Sequence, residues 1–187
     1  VMFIVMPAGL IELSRVRAGS PPAYRNQRIS GGVPMILNKF KLEGKCGLIT
    51  GAGSGIGRAM AAGLAEAGAK VALAGRNMAK LESAAAEIAA AGMSAAPFQV
   101  DMARPDSIRR LTAAVLKAFD RIDFLFNNAD MIHRAPAEDF PVEAWEETIR
   151  VNLTGPFLLS QAVARHMIEK GIKGSIVHTS SLIAVFG

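Results

Sequence analysis

The sequence predicts an α/β fold in which helices cover both faces of a doubly wound parallel sheet. Three observations predict this class. From residue 45 onward, short apolar segments alternate with longer segments of helical period. Segments 71–74 and 122–126 are mostly apolar throughout, as is typical of parallel strands buried on both faces. A glycine-rich turn joins the first apolar segment to the first helical one, so strand–helix–strand units with right-handed crossovers are expected.

Turn and cap signals separate these elements. Gly68 and Gly92 stand where helices end, and Pro105 suits a first helical turn. We expect strands at about 45–50, 70–75, 95–100, 122–128 and 174–180, and helices at about 55–67, 77–91, 105–118 and 142–170. Because such sheets bind ligands at the carboxyl ends of their strands, residues that follow the strands are expected to form one site.

The turn at residues 50–57, Thr-Gly-Ala-Gly-Ser-Gly-Ile-Gly, carries the strongest functional signal. Its glycines let the backbone turn tightly and let a pyrophosphate approach the N-terminus of the next helix, where free N–H groups favour negative charge. The turn therefore predicts a Rossmann-like, dinucleotide-binding domain. Ile56 breaks the G-x-G-x-x-G spacing, and no Lys-Ser or Lys-Thr pair completes a phosphate loop. The candidate cofactor-binding residues here are Thr50, Gly51, Ser54, Gly55, Ile56 and Gly57.

Residues 1–34 differ from the rest of the chain. They contain four prolines, a Gly-Ser pair and a Gly-Gly pair without a sustained period, so we expect a poorly ordered extension before a dinucleotide-binding domain at 35–187. The net charge of +5 lies in residues 1–45, which hold seven basic and two acidic side chains, while the remaining residues balance. Without a basic stripe in the domain, a nucleic-acid partner is not expected.

The chain offers little for metal, disulfide or membrane chemistry. Cys46 is its only cysteine, which excludes an intramolecular disulfide and fits a reducing, cytoplasmic setting. The three histidines match no metal-site spacing, so no metal is expected. The apolar run 1–11 is too short to span a bilayer, and we expect no membrane partner.

Motifs continue in order along the chain beyond the glycine-rich turn. Asp101 follows the third expected strand, Asn-Asn-Ala at 127–129 follows the fourth, Asn152 lies within Val-Asn-Leu, and Ser181 follows the fifth. Together with the pattern T-G-x-x-x-G-I-G, these motifs resemble the short-chain dehydrogenase/reductase family over residues 40–187.

The resemblance implies a role for each motif. Asp101 is expected near the adenine ring of the cofactor, and Asn128 and Ala129 beside the cofactor. Asn152 and Ser181 match the Asn and Ser of the family's catalytic tetrad. Ser181 would orient the substrate carbonyl, and Asn152 would support a proton relay through water. Hydride would pass between substrate and nicotinamide.

Two positions depart from the family pattern. Asp130 replaces the glycine of N-N-A-G, where it would be strained if its φ were positive and where its charge could weaken binding of an anionic cofactor. The family's Tyr-x-x-x-Lys pair should follow Ser181 by about a dozen residues, but the sequence ends at Gly187 and its only tyrosine is Tyr24. We therefore expect a C-terminally incomplete sheet and a chain that lacks its general acid and is inactive alone.

The end of the second strand bears on cofactor choice. Enzymes that use NAD place an acidic residue there to bind the ribose 2′-hydroxyl, whereas this chain has Gly75 followed by Arg76. An arginine suits the 2′-phosphate of NADP. Ser54 is not the basic residue that many NADP-using members carry in the glycine-rich turn, so NAD stays open.

The resemblance implies an NAD(P)-dependent oxidoreductase that interconverts an alcohol and a carbonyl on a small-molecule substrate. Segments 134–140 and 160–171 are similar to sugar-acid members such as gluconate 5-dehydrogenase and 2-deoxygluconate 3-dehydrogenase. Two alternatives remain open. A 3-oxoacyl-thioester reductase shares the same motifs, and a truncated, non-catalytic nucleotide-binding protein is favoured by the missing Tyr-x-x-x-Lys pair.

The last expected helix carries an apolar stripe at i+4 spacing, formed by Trp145, Ile149, Leu153 and Phe157. In the family this helix often lies at an oligomer interface, so we expect a homo-oligomer for a full-length form. In the isolated chain we expect an exposed stripe and an open edge at the fifth strand. Both features favour low stability and self-association.

Overall fold

The computed structural model describes residues 2–7 and 36–181. In these ranges the chain forms one six-stranded sheet with α-helices on both faces. The strands are β1 (Met2–Pro7), β2 (Cys46–Thr50), β3 (Lys70–Gly75), β4 (Ala95–Gln99), β5 (Phe124–Asn127) and β6 (Ser175–Ser180). The α-helices are α1 (Gly55–Glu66), α2 (Met78–Ala90), α3 (Pro105–Phe119), α4 (Val142–Ile149) and α5 (Gly155–Glu169). Short 3-10 helices cover Ile36–Phe40 and Ala137–Asp139, and a π-helical segment covers Arg150–Thr154.

The strand order confirms the predicted doubly wound parallel sheet. The order is β1-β6-β5-β2-β3-β4, in which β2 to β6 pair in parallel and β1 pairs antiparallel with β6. The chain moves outward from β2 to β3 and β4, and then returns to the other side of β2 to form β5. This reversal opens a crevice at the carboxyl ends of β2 and β5, where ligands bind in open α/β sheets.

The expected helix over 142–170 is present in two parts. Helix α4 runs into the π-helical segment, and α5 continues from it without a loop. The sequence pattern does not reveal this interruption, because one extra residue in a turn hardly changes the helical period. The other strands and helices of the sheet domain lie within a few residues of their expected positions.

Side chains that alternate along the central strands build two separate cores. Leu48 on β2 and Ala72 on β3 belong to the core beneath α3 and α5, whereas the next residues, Ile49 and Leu73, belong to the core beneath α1 and α2. All four side chains are fully buried. This two-sided burial explains why the strands lack polar alternation in the sequence.

The edge of β6 is covered, which corrects the expectation of an open edge. Strand β1 pairs along it from Met2 opposite Ser180 to Pro7 opposite Ser175, and so occupies backbone groups that would otherwise be exposed. The sequence pattern did not predict this strand, because a short apolar run carries no information about which edge it pairs with. The rest of the expected extension, residue 1 and residues 8–34, lies outside the described residues.

A buried carboxylate ties the amino ends of the strands together. Asp123, 4% exposed, accepts hydrogen bonds from the Cys46 backbone N–H at 2.9 Å, from Lys45 Nζ at 3.2 Å and from Arg121 Nε at 2.8 Å. Burial acts to raise the pKa of the Asp123 carboxyl, but these hydrogen bonds and the Lys45 charge outweigh it and hold the pKa below its ordinary 3.8. A charged Asp123 therefore anchors the end of the sheet opposite the crevice.

Candidate functional site

A groove of about 220 Å³ lies at the carboxyl ends of the strands. The glycine-rich turn between β2 and α1 forms one wall, and the turns that follow β3, β4 and β5 form the others. The predicted cofactor residues that line it are Gly51, Ser54, Arg76, Asp101 and Ala129. The topology thus brings side chains from four distant parts of the sequence to one cavity.

The glycine-rich turn requires glycine at particular positions. Gly51 has φ of +68° and Gly55 has φ of +54°, in the left-handed region that favours glycine. A Cβ atom on Gly57 would lie 2.4 Å from the Gly51 carbonyl oxygen and 2.6 Å from Asn128 Nδ2. The first turn of α1 therefore packs directly on the turn that precedes it.

The N-terminus of α1 suits an anionic ligand. Ser54 is the N-cap residue, but its side chain makes no capping hydrogen bond, and the first turn contains no acidic residue. The first N–H groups of the helix are therefore left for another acceptor, and the helix dipole favours a negative charge beside them. These features fit the pyrophosphate of a dinucleotide.

Thr50 and Asn128 hold the wall of the groove rather than line it. The buried Thr50 hydroxyl accepts hydrogen bonds from the backbone N–H groups of Asn128 and Ala129, each at 3.0 Å, and donates to the Phe126 carbonyl at 3.3 Å. Asn128 Nδ2 donates to the Thr50 carbonyl at 3.2 Å, and its Oδ1 accepts from Thr179 on β6 at 3.2 Å. Together they fix the turn after β5 against β2 and β6.

Two positively charged side chains lie at the end of the groove beside β3. Arg76 lines the groove with Lys80, which stands in the first turn of α2. A Cβ on Gly53 would lie 3.2 Å from Lys80 Cβ, so Lys80 is close to the glycine-rich turn. Asn77 caps α2 by accepting from the Lys80 N–H at 3.1 Å. Within the described residues, neither cation forms an ion pair, and both charges are available to a ligand.

Asp101 shapes the turn between β4 and α3. Its Oδ1 accepts from the Ala103 N–H at 3.0 Å, and its own N–H donates to Ser107 Oγ at 2.9 Å. Asp101 is half-buried and lines the groove. Its carboxylate therefore presents only part of its hydrogen-bonding capacity to a ligand.

Comparison with known families assigns the chain to one of them. The family model described as short chain dehydrogenase matches residues 45–187. The chain belongs to the short-chain dehydrogenase/reductase family. The fold class and the family resemblance predicted from the motifs are thereby confirmed.

Relatives include the sugar-acid dehydrogenases to which the sequence was expected to be similar. The chain is 39% identical to a 2-dehydro-3-deoxy-D-gluconate 5-dehydrogenase of Bacillus subtilis, over 79% of this chain and 57% of that protein. It is 41% identical to a gluconate 5-dehydrogenase of Gluconobacter oxydans, over 76% of this chain and 56% of that protein. The chain thus spans a little over half the length of these curated relatives.

A solved structure agrees with this assignment. A metagenomic short-chain oxidoreductase in complex with NADP is 37% identical, with a TM-score of 0.68 over 71% of this chain and 60% of that chain.

Asn152, the position that matches the family's catalytic Asn, lies in the π-helical segment between α4 and α5. Its Nδ2 donates to the Met131 carbonyl at 2.7 Å, and its Oδ1 accepts from the Met131 N–H at 3.0 Å. The side chain thereby holds the loop after β5 against the helix. Single π-helical turns within helices are frequent at functional sites, because they redirect a side chain without breaking the helix.

Ser181, the position that matches the catalytic Ser, directly follows β6 and is exposed. Because His178 pairs with Asn127 across parallel strands, Ser181 lies at the same edge of the sheet as the groove. Burial lowers the pKa of His178 from its ordinary 6.5, so its imidazole is neutral at pH 7. Asn127 donates through Nδ2 to Ser160 Oγ at 2.9 Å, and so holds β5 against α5.

Asp130 carries a charge but no backbone strain. Among the described residues, only Asp120 is a non-glycine residue with positive φ. Asp130 Oδ1 accepts from the Met131 N–H at 2.8 Å, and the residue lines both the groove and a neighbouring pocket. Its negative charge therefore stands where the groove meets that pocket.

The neighbouring pocket has a volume of about 660 Å³ and lies beside Asn152. Its walls are largely apolar and come from the loop after β5 and from α4, with Met131, Ile132, Phe140 and Trp145 among the lining residues. His133 also lines it and lies 3.6 Å from a Glu147 carboxylate oxygen. The pocket can hold a small organic molecule next to Asn152, which also lines it.

The groove contains residues that the sequence analysis missed, and some predicted ones stand outside it. The sequence analysis assigned no cofactor role to six lining residues: Asn77, Lys80, Leu81, Val100, Met102 and Val151. Gly53 in the glycine-rich turn, Gly75 at the end of a strand and Asp130 beside the expected cofactor also line the groove, as their positions in the sequence indicated. Lys80 could have been found, because it stands four residues after Arg76 at the start of a predicted helix. The predicted cofactor residues that do not line the groove are Thr50, Gly55, Ile56, Gly57 and Asn128. They build the turn and the start of α1.

Two further findings concern the described residues only. They contain no cluster of three or more His, Cys, Asp or Glu side chains that could hold a metal ion. None of the helices in these ranges has both the length and the apolar character needed to cross a membrane.

Proposed function

We propose that this chain is the cofactor-binding part of an NAD(P)-dependent oxidoreductase that interconverts an alcohol and a carbonyl. One observation carries the proposal. Ser54 at the uncapped start of α1, Gly51 and Gly53 of the glycine-rich turn, and Arg76 all line one groove at the point where the strand order reverses. A dinucleotide fits this arrangement, with its pyrophosphate at α1 and its ribose near the end of β3.

NADP is the cofactor that the groove favours. Arg76 and Lys80 bring two unpaired positive charges to the position where enzymes that use NAD carry an acidic residue. The NADP complex of the metagenomic relative supports this choice. The bound nicotinamide would supply the hydride chemistry, and the protein supplies position and charge.

Asn152 and Ser181 are proposed as the catalytic residues of this chain. Ser181 would donate a hydrogen bond to the substrate oxygen and orient it. Asn152 would hold the end of a proton relay, through the loop geometry that its two hydrogen bonds to Met131 maintain. The names of the relatives and the pocket beside Asn152 support a sugar acid as the substrate class. His133 and Arg134, in the loop after β5, are the nearby side chains that could bind its carboxylate.

A second candidate function is nucleotide binding without turnover. It applies to these 187 residues taken by themselves, whose single tyrosine, Tyr24, precedes the domain. The family's general acid is then not among the residues of the groove. A cytoplasmic setting and a homo-oligomeric full-length form remain predictions.

The proposal is tested by titrating the protein with NADPH and with NADH while the fluorescence of the nucleotide is recorded. We expect tighter binding of NADPH, and about a tenfold loss of NADPH affinity in Arg76→Gln with NADH affinity unchanged. Arg165→Gln, an exposed and unpaired arginine on α5, is the matched control and should behave like the wild type. If neither nucleotide binds, the proposed function is wrong.

A further inference from the structure

A second cavity, of about 410 Å³, adjoins the groove at the end of β4. Arg76, Val100 and Asp101 line both cavities, so a ligand in one can extend into the other. The cavity differs from the groove in its charge. Its remaining lining residues, from the end of β4 to the first turns of α3, are Gln99, Arg104, Ser107 and Arg110.

Three arginines and one acidic residue line this cavity. The arginines are Arg76, Arg104 and Arg110, and the carboxylate belongs to Asp101. The acid is already engaged, because its Oδ1 accepts a hydrogen bond from Ala103 at 3.0 Å. The cavity therefore carries an excess of positive charge that the described side chains do not neutralise.

Three arginines without an ion pair line this one cavity, whereas Arg134 and Arg165, the other unpaired arginines of the described residues, do not line it. In the described residues, four other arginines each form an ion pair with a carboxylate: Arg58, Arg109, Arg121 and Arg150. Arg109 pairs with Asp106, whereas the adjacent Arg110 turns to the cavity and forms no ion pair. The positive charges of arginines that line one cavity repel each other, and an anion bound between them offsets that repulsion.

We propose that this cavity, the arginine pocket, binds a phosphate monoester dianion. The planar fork of a guanidinium matches two oxygens of a phosphate, and several arginines can share its two charges. The phosphate could be the 2′-phosphate of a cofactor in the adjoining groove or the phosphoryl group of a separate metabolite. The first source rests on the proposed function, and the second does not. Arg104, the N-cap residue of α3, and Arg110, on α3, are then binding residues that the glycine-rich turn does not predict.

Calorimetric titrations of the whole chain with three probes test the pocket. The probes are adenosine 2′,5′-bisphosphate, adenosine 5′-monophosphate and inorganic phosphate. The variants are Arg104→Gln and Arg110→Gln, and Arg109→Gln on the same helix is the matched control. All three arginines are exposed, so their replacement should leave the fold intact, which circular dichroism checks.

If the pocket takes the 2′-phosphate, each pocket variant should bind the bisphosphate about tenfold more weakly, while binding of the monophosphate is unchanged. If it takes a separate phosphoryl group, the variants should lose inorganic phosphate binding alone. The proposal is overturned if both variants match Arg109→Gln with every probe, or if the wild type binds none of them. A wild type that binds phosphate but neither adenosine nucleotide would support the pocket and contradict the proposed function.

Discussion

Asp123 is the residue on which the amino ends of the strands depend. Its buried carboxylate faces Lys45 and Arg121 and accepts the Cys46 N–H, while its backbone bonds to Cys46 and Ser175 join β5 to its two neighbours. Replacing it would leave a buried N–H group and two cations with weaker acceptors. Removing one partner of a buried charged pair lowers stability strongly, because the other partner is left without its compensating charge.

We therefore predict that Asp123→Asn lowers the free energy of unfolding by about 2 kcal/mol at pH 7. Urea denaturation measures the change. Asp106→Asn, which removes the exposed ion pair with Arg109, is the control and should cost less than about 0.5 kcal/mol. Equal losses in the two variants would show that the Asp123 cluster contributes no more than a surface pair.

The same substitution predicts a pH dependence. The folded pKa of Asp123 lies below 3.8, so the stability that its ionised form contributes is present above that value and is lost as pH falls through the folded pKa. The difference in unfolding free energy between wild type and Asp123→Asn should thus be constant above about pH 5 and shrink on further acidification. A difference that persists unchanged to the lowest pH at which both proteins fold would contradict the assignment.

At the scale of elements, helix α1 offers a comparison between two of its own glycines. Gly57 is buried against the glycine-rich turn, and a Cβ there would lie 2.4 Å from the Gly51 carbonyl oxygen. Gly63, on the same helix, is exposed, and a Cβ added there would meet no atom within 4 Å. The two positions share helical propensity and differ in packing.

Gly57→Ala should therefore lower the free energy of unfolding by about 2 kcal/mol and weaken nucleotide binding, because the turn must move away from α1. Gly63→Ala should raise the free energy of unfolding by about 0.5–1 kcal/mol, because alanine favours the helix. Thermal denaturation and the NADPH titration measure both effects. If Gly57→Ala gains as much stability as Gly63→Ala, the close packing of turn and helix is wrong.

The pairing of β1 with β6 predicts which proline substitutions in β1 remove a hydrogen bond. In an antiparallel edge strand, the N–H groups of successive residues point alternately to the partner strand and away from it. Of the two variants Ile4→Pro and Val5→Pro, one should remove a hydrogen bond to β6 and the other should not.

The two proline variants should then differ in unfolding free energy by about 1 kcal/mol, and the less stable one should aggregate sooner because β6 is uncovered. Urea denaturation and light scattering follow the two effects. Two variants that are indistinguishable from the wild type would show that β1 does not pair with β6 in solution.

At the scale of the whole molecule, we expect the apolar stripe along α4, the π-helical segment and α5 to mediate association. Trp145, Leu153 and Phe157 are each about 60% exposed, as the sequence analysis expected for a chain without a neighbour on this face. We predict reversible self-association that Leu153→Glu and Phe157→Glu reduce, measured by sedimentation velocity over a range of concentrations. Phe40→Glu, an equally exposed aromatic residue on another element, should leave it unchanged. A monomeric wild type would contradict the prediction.

Local patterns were sufficient for much of this molecule. The alternation of apolar and helical segments predicted five strands and their helices, and the positions of Gly68, Gly92 and Pro105 agree with the observed helix ends. These features depend on residue types and short spacings, which can be read directly from the sequence. Arg76 and Asp101 were predicted in the same way, because the carboxyl ends of parallel strands all lie at the same edge of the sheet.

Contacts between distant segments could not be predicted in this way. The pairing of β1 with β6, the bonds of Thr50 and Asn128 behind the groove, and the meeting of Arg76 with Arg104 and Arg110 depend on which elements pack together. The bonds of Asn152, on the π-helical segment, to Met131 likewise join residues from separate elements.

The sequence by itself determined the fold class, the family and the edge of the sheet at which the groove lies, because period, turn residues and motif order are local properties. Only the tertiary structure decided which predicted residues line the groove and which merely support it. It also decided which charges remain unpaired, because pairing and burial are properties of three-dimensional neighbours that are far apart in the chain.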